Sequence, residues 1–164
     1  MKEAALVIIK PDGVNKGLVG NVFRKFTPSK LEIIGLQVFR ASRFLAEEHY
    51  MHLRGKPFFE EIVTYLTGTY HKQKQIIGVV YYGEKAIHKC RTIAGATNPE
   101  EADPMSIRGA FGRITTKGVF ENVVHVSSDK KEAEREIKLW FKPDDLIVKL
   151  YPTKIVTEKK RVWA

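Results

Sequence analysis

The feature of this sequence that most constrains its fold is an apolar run close to its start, spanning Ala4 to Lys10 (AALVIIK). Pro11-Asp12-Gly13 follows at once, and this tripeptide is a strong turn signal. A short apolar run bounded by a turn is typical of a strand in the interior of a sheet. We therefore predict an interior strand here, closed by a turn.

The remaining periodicity predicts alternating strands and helices. In chain order they are a helix over 16–26, a strand over 31–40, helical segments over 46–53 and 58–66, a strand over 75–82, a helix over 84–94, a strand over 122–127 and a helix over 130–141. This βαββαβ order predicts an α+β, ferredoxin-like fold, in which helices pack on one face of an antiparallel sheet. No linker composition marks a boundary, so we expect a single domain over residues 1–164.

Two segments lack a clear period. The stretch 95–121 reads as an irregular loop that carries Arg108 and Arg113, and loops of this length in compact domains are usually functional or disordered. The tail 144–164 contains an apolar patch, Leu146 to Tyr151, and ends in Val162-Trp163-Ala164. We expect this tail to cover either its own domain or a neighbouring subunit.

The charge balance restricts the partners. With 28 Lys plus Arg against 19 Asp plus Glu, the formal net charge is +9, which favours nucleotides, nucleic acids or other anionic partners. No apolar stretch approaches the roughly 18 residues of a membrane span, and the single cysteine, Cys90, excludes an intramolecular disulfide. We expect a cytoplasmic protein without a membrane segment.

Candidate chemistry is concentrated near residues 122–129 (NVVHVSSD). The two-residue alternation of a strand predicts that His125 shares a face with Val123 and Ser127. Asp129 as N-cap, with Glu132 three residues later, predicts that the next helix begins close to His125. The imidazole should therefore lie where a strand ends and a helix starts.

Glu136 is predicted at the edge of the apolar stripe of that helix, between Ala133 and Trp140. A partly buried carboxylate needs an imidazole or a cation as its partner, since an unpaired buried charge costs several kcal/mol. The pattern is equally compatible with a solvent-exposed glutamate in a shifted helical register.

The sequence indicates neither a protein-bound metal nor a glycine-rich loop that would bind phosphate through its backbone. The other histidines, His49, His52, His71 and His88, lack a metal-ligand spacing, so no protein-bound metal is predicted. The glycine-rich patterns that cradle phosphates, G-x-x-x-x-G-K-[ST] and G-x-G-x-x-G, are missing from the sequence. Phosphates would have to be held by side chains such as Lys10, Arg91 and Arg108, for which a solvated basic surface is the alternative. For His125 alone, a hydrogen-bonded core histidine is more common than a nucleophile.

From about Ala4 to Leu146, the chain resembles the nucleoside diphosphate kinase family at several separated places. The matching segments are 7–20 (VIIKPDGVNKGLVG), 49–59 (HYMHLRGKPFF), Arg91 with 95–99 (GATNP), 106–111 (SIRGAF), 122–125 (NVVH) with Ser127, and Glu136 with 139–141 (LWF). The resemblance implies ping-pong transfer of the γ-phosphate from a nucleoside triphosphate such as ATP to a nucleoside diphosphate, through phosphorylated His125. It also implies a homo-oligomer, hexamer or tetramer, and Mg²⁺ bound through the nucleotide phosphates.

The resemblance also implies roles for individual residues. Glu136 and Ser127 would orient the His125 ring. Phosphate and ribose would be bound by Lys10, Tyr50, Arg91, Thr97, Arg108 and Asn122, and Phe58 with Ile62 would pack against the base.

The sequence departs from the family pattern in four places. Val126 stands where a glycine usually follows the nucleophile, and Ala110 stands where the family has an aspartate after Arg-Gly. The stretch 67–75 is roughly five residues longer, and 112–121 is roughly four residues longer. Two other hypotheses therefore compete with an active kinase: a binding module without turnover that holds nucleic acid, and a structural basic protein. Retention of His125 beside the candidate phosphate-binding side chains favours the enzyme, with nucleic acid as a secondary partner.

Overall fold

The opening apolar run forms most of strand β1 (Lys2–Ile9) in the computed structural model, which describes residues 2–157. The other strands are β2 (Glu32–Arg40), β3 (Gln75–Glu84), β4 (Arg113–Ile114), β5 (Phe120–Glu121) and β6 (Val124–Val126). The main sheet is antiparallel with the order β2-β3-β1-β6, so β1 lies in its interior, as predicted. This arrangement is ferredoxin-like and confirms the predicted fold class.

Helices cover both faces of this sheet, whereas the sequence predicted one covered face. Within residues 2–157 they are α1 (Pro11–Asn15), α2 (Val19–Phe26), α3 (Arg43–His49), α4 (Phe59–Leu66), α5 (Ala86–Ala94), α6 (Ile107–Phe111) and α7 (Lys130–Trp140). Ala5, Val7 and Ile9 pack in one core with α2 and α5. Leu6 and Ile8 pack in a second core with α3, α4 and α7. Because these strand residues are buried in alternation on two sides, both faces need a helical cover.

The segment after β1 also differs from the predicted turn and single helix. Pro11 occupies the first position of α1, where its fixed φ and missing N–H are tolerated. Gly17, with φ +69°, separates α1 from α2. The helix predicted over 16–26 therefore begins only at Val19.

The stretch 95–121, predicted to be irregular, contains regular structure. A 3₁₀ turn spans Pro99–Glu101, α6 follows, and β4 pairs with β5 as a short antiparallel ladder. Each of these elements is at most five residues long. Elements this short do not generate a recognisable period in a sequence, which is why the prediction was wrong.

The first part of the tail, up to Tyr151, packs on its own domain, whereas 152–157 are exposed. The Ile147 N–H donates to the carbonyl of Ile34 (2.9 Å), and Leu146, Val148, Leu150 and Tyr151 lie against the second core. The end of the tail, with Val162 and Trp163, lies outside the described residues. Across 2–157, no helix has both the length and the apolar character needed to span a bilayer.

Candidate active site

The predicted histidine and glutamate meet where β6 faces α7. Nε2 of His125 lies 2.9 Å from Oε1 of Glu136, and the Ser127 hydroxyl donates to Oε2 of the same carboxylate (2.6 Å). The Leu6 N–H donates to the Ser127 oxygen (3.2 Å), which fixes the hydroxyl to β1. The side chain of Glu136 is only 2% exposed, so the surface alternative considered for this residue is wrong.

The ionisation of Glu136 determines which imidazole nitrogen carries hydrogen. Burial would raise the pKa of Glu136, but His125, Ser127 and the nearby Arg135 outweigh burial and hold this pKa below its usual value. An ionised carboxylate only accepts hydrogen bonds, so Nε2 of His125 must carry the hydrogen. In the neutral ring, Nδ1 then keeps its lone pair.

The capping prediction for α7 is confirmed. Oδ1 of Asp129 accepts the N–H of Glu132 (2.9 Å), and the helix begins at Lys130. This start places Glu136 in the second turn of α7, facing β6. The position of Glu136 therefore follows from the helix start and a period of 3.6 residues.

Val123 does not share the face of His125, which contradicts the prediction from strand alternation. Its φ of +67° lies in the left-handed region, and its side chain packs in the first core with Val124 and Val126. Such a conformation of a β-branched residue costs of order 1–3 kcal/mol. Asp12 compensates by accepting the Val123 N–H on Oδ2 (3.0 Å), while the Lys10 N–H donates to the Val123 carbonyl (2.8 Å).

A second histidine, His49, is fully buried beside the His125 ring, with ring centroids 4.3 Å apart. The Trp140 indole N–H donates to Nδ1 of His49 (3.2 Å). Burial, together with the charges of His125 and Arg135, lowers the pKa of His49 well below its usual value. His49 is therefore neutral and carries its hydrogen on Nε2.

The ligand atoms of His49, His125 and Glu136 lie within 4.8 Å of one another, a grouping that could in principle hold a metal ion. A metal needs an unprotonated nitrogen, whereas the Trp140 bond leaves the hydrogen of His49 on Nε2. Glu136 is already occupied by His125 and Ser127. The hydrogen bonds of this cluster thus argue against a metal between these three side chains.

Lys10 is a buried cation at the end of β1. Its Nζ lies 4.6 Å from the centre of the Tyr65 ring. Burial lowers the pKa of Lys10 to about 8, with Asp12 opposing the shift and Arg108 adding to it. An ammonium group held in such a place is poorly compensated by the protein and favours an anionic ligand.

Arg108 on α6 is fixed by the backbone. Its two terminal nitrogens donate to the carbonyls of Gly95 (2.8 Å) and Val124 (2.9 Å). Burial and the charge of Arg91 lower the pKa of Arg108 to about 10. A guanidinium has five N–H groups, so those not used here can bind an anion beside β6.

The other predicted site residues differ in exposure. Asn122 is buried and its amide donates to the carbonyl of Thr97 (2.8 Å), whereas Arg91 and Thr97 are exposed at the end of α5 and just after it. Tyr50 lies beside His125, with ring centroids 6.4 Å apart, and burial followed by the charge of Glu136 raises the pKa of Tyr50.

Phe58 and Ile62 are separated by one turn at the start of α4. Phe58 is exposed and Ile62 half-buried. They therefore offer an apolar surface at the rim of α4.

Val126 fits its strand without strain. It lies opposite Val7 of β1 and is buried in the first core. Its backbone does not adopt the left-handed conformation. The residue that follows the candidate nucleophile therefore does not need the backbone freedom of glycine here.

Sequence reasoning missed Asp12, His49 and Tyr65 as parts of the site. Asp12 was assigned only to a turn, and Tyr65 only to a helical segment. His49 carried a usable signal, because it directly precedes Tyr50 in the segment 49–59. No local signal connects Asp12 with Val123, which lie 111 positions apart.

Comparison with known proteins agrees with the fold. The family model described as nucleoside diphosphate kinase matches residues 3–146. A nucleoside diphosphate kinase of Pyrococcus abyssi is 43% identical over 145 residues, covering 88% of this chain and 87% of that protein.

Solved structures of nucleoside diphosphate kinases are also similar. That from Halobacterium salinarum in complex with CDP has a TM-score of 0.81 and 33% identity, covering 90% of this chain and 93% of the other. A transition-state mimic from Borrelia burgdorferi, with bound vanadate and ADP, has a TM-score of 0.80 and 27% identity, covering 93% of both chains.

The fold and the site together define a ferredoxin-like protein in which a histidine that is hydrogen-bonded to a buried glutamate lies near Lys10 and Arg108. More particularly, the chain belongs to the nucleoside diphosphate kinase family and is a phosphotransferase.

Proposed function

We propose that Nδ1 of His125 takes the γ-phosphate from a nucleoside triphosphate such as ATP and passes it to a nucleoside diphosphate. The observation that carries this proposal is the Glu136–His125 hydrogen bond, which keeps the hydrogen on Nε2 and the lone pair on Nδ1. In the first half-reaction the Nδ1–P bond forms as the bond to the leaving diphosphate oxygen breaks. The second half-reaction reverses this with a new diphosphate, and no net proton is consumed.

The cations supply most of the catalysis in this proposal. Phosphoryl transfer spreads negative charge over the equatorial and leaving oxygens, and fixed cations stabilise that charge. Lys10 is buried, and Arg108 is half-buried and held by two backbone carbonyls, which keeps both cations from reorganising during transfer. Arg91, at the open end of the site, would contact the outer phosphates.

The remaining residues would bind the nucleoside. Tyr50, Thr97 and Asn122 would contact phosphate and ribose hydroxyls, and Phe58 with Ile62 would pack against the base. An apolar surface with no polar edge to read a base suits a broad choice of nucleobases. Ser127 and Glu136 would orient the ring of His125 and not touch the nucleotide.

Mg²⁺ would enter with the nucleotide as part of the substrate. The carboxylates nearest His125 and Lys10 are Glu136, which is occupied by His125 and Ser127, and Asp12, which is fully buried and accepts the Val123 N–H. This donor set supports a metal held by phosphate oxygens, where it would neutralise charge and orient the phosphates.

The direct test is incubation of the wild-type protein with γ-labelled ATP and Mg²⁺. We expect an acid-labile, base-stable phosphoprotein, as is typical of phosphohistidine, that added nucleoside diphosphate discharges. A protein that binds the nucleotide but never acquires label would be the binding module instead.

The substitution Val126→Gly tests whether the departure at this position limits the enzyme. Because Val126 is buried without left-handed strain, we expect kcat to stay within about threefold, as a barrier change of 1.4 kcal/mol would already give tenfold. Loss of the buried side chain and of strand preference should lower the free energy of unfolding by roughly 2–4 kcal/mol. Steady-state kinetics and urea unfolding measure both quantities, and a tenfold rise in kcat would show that Val126 crowds His125.

A homo-oligomer, tetramer or hexamer, is part of the proposal. The edge strand β2 exposes Ile33, Leu36 and Val38, and an open apolar edge of this kind favours association. Light scattering gives the number of chains.

We also propose a cytoplasmic location, which the unpaired, buried Cys90 thiol supports.

A further inference from the structure

The loop between α4 and β3, which is longer than the family pattern, brings one of its residues into the interior. The His71 side chain is only 9% exposed, whereas Lys72 and Lys74 of the same loop are exposed. Its Nε2 lies 2.9 Å from Oε1 of Glu121, and its ring meets the Tyr65 ring edge-on, with centroids 5.1 Å apart. His71 therefore has two partners on different elements.

The first partner, Glu121, connects His71 to Asn122, one of the residues proposed to contact the nucleotide. Glu121 is 7% exposed and also binds Arg113 (2.6 Å) and Lys16 (2.8 Å). Burial would raise its pKa, but these bonds and the one to His71 hold the pKa of Glu121 at about 2. The carboxylate is therefore ionised and accepts a hydrogen bond from Nε2 of His71. Glu121 directly precedes Asn122 in the chain.

The second partner, Tyr65, connects His71 to Lys10, which is proposed to bind phosphate. The Tyr65 ring is 3% exposed, and the Lys10 ammonium lies over it at 4.6 Å from the centroid. A cation over an aromatic ring is held by the negative face of that ring. Whatever fixes the ring of Tyr65 also fixes Nζ of Lys10.

We propose that His71 is a positioning residue for phosphoryl transfer: through Tyr65 it orients Lys10, and through Glu121 it holds Asn122. This inference rests on the proposed function, in which Lys10 and Asn122 contact the nucleotide. His71 is then the residue of the 67–74 loop that acts on the nucleotide site.

The kinetic test compares His71→Ala with Lys74→Ala, an exposed cation of the same loop. We expect kcat/KM to fall about tenfold in His71→Ala and to stay within twofold in Lys74→Ala, when rates are normalised to the burst of phosphoenzyme. Normalisation removes any loss that comes only from unfolded protein. His71→Gln keeps an amide N–H for Glu121 and should recover part of the activity. If His71→Ala does not fold, His71→Gln is measured in its place.

A readout that does not need turnover is the titration of Lys10, followed by the NMR shift of its ε-carbon. Burial is the main cause of this pKa of about 8, with Asp12 opposing the shift and Arg108 adding to it. Removing the His71 ring admits water, so we expect the pKa of Lys10 to rise by at least about 0.5 in His71→Ala and His71→Gln. The basic limb of the pH profile of kcat/KM should move in the same direction.

Two results would overturn the positioning role: a normalised kcat/KM of His71→Ala, or of His71→Gln where His71→Ala does not fold, within twofold of wild type, or an unchanged Lys10 titration. Failure of the proposed function is a separate result. In that case the wild-type protein would acquire no phosphohistidine, and the Lys10 titration would still decide whether His71 fixes Lys10.

Discussion

His125→Ala should abolish the phosphoenzyme while leaving nucleotide binding intact. The substitution removes the nucleophilic nitrogen but keeps Lys10 and Arg108, whose positions depend on Tyr65 and on backbone carbonyls. We expect transfer to fall by at least about 10³-fold, as when a nucleophile is deleted from an enzyme. Labelled phosphate on the protein measures the loss, and calorimetric titration with ADP measures binding.

The matched control for this variant is His88→Ala, which removes an exposed histidine of α5. It should acquire label at the wild-type rate. Label that accumulates at the same rate on His125→Ala would mean that another residue is the nucleophile.

Arg108→Lys should lower kcat/KM by about 10²-fold, although the charge is kept. The guanidinium holds two backbone carbonyls at once and still has N–H groups for a phosphate, whereas an ammonium has only three donors on a single atom. Loss of one fixed donor to a transition-state oxygen typically has an effect of this size.

Steady-state kinetics over a range of nucleotide concentrations measure the effect of Arg108→Lys. Arg24→Lys, on the exposed face of α2, is the control and should be neutral. If Arg108→Lys retained the wild-type kcat/KM, the guanidinium would have no part in binding the transferred phosphate.

The main sheet was predictable because its information is local. An apolar run bounded by a turn predicted β1 and its interior position, and the order of strands and helices predicted the fold class. The pairing of His125 with Glu136 was also within reach, since an N-cap and a helical period fix where Glu136 faces. These are features that a short window of sequence contains.

The parts that were missed depend on contacts between distant residues. A valine carries no signal for a left-handed backbone, and the groups that stabilise Val123 in that conformation, the Asp12 carboxylate and the Lys10 N–H, are far away in the chain. The burial of His71 likewise depends on Glu121, 50 positions later. Local patterns cannot encode such pairs, so these residues could be identified only in the folded protein.

The central position of β1 has a consequence for how this protein opens. Leu6 anchors Ser127, Lys10 anchors Val123, and the residues between them close both cores. Separating β1 from β6 would expose both hydrophobic cores at once, so this separation belongs to the same cooperative event as global unfolding. Native-state fluctuations that admit and release nucleotides must therefore occur outside the β1–β6 pair, while the strand that carries His125 stays closed throughout the catalytic cycle.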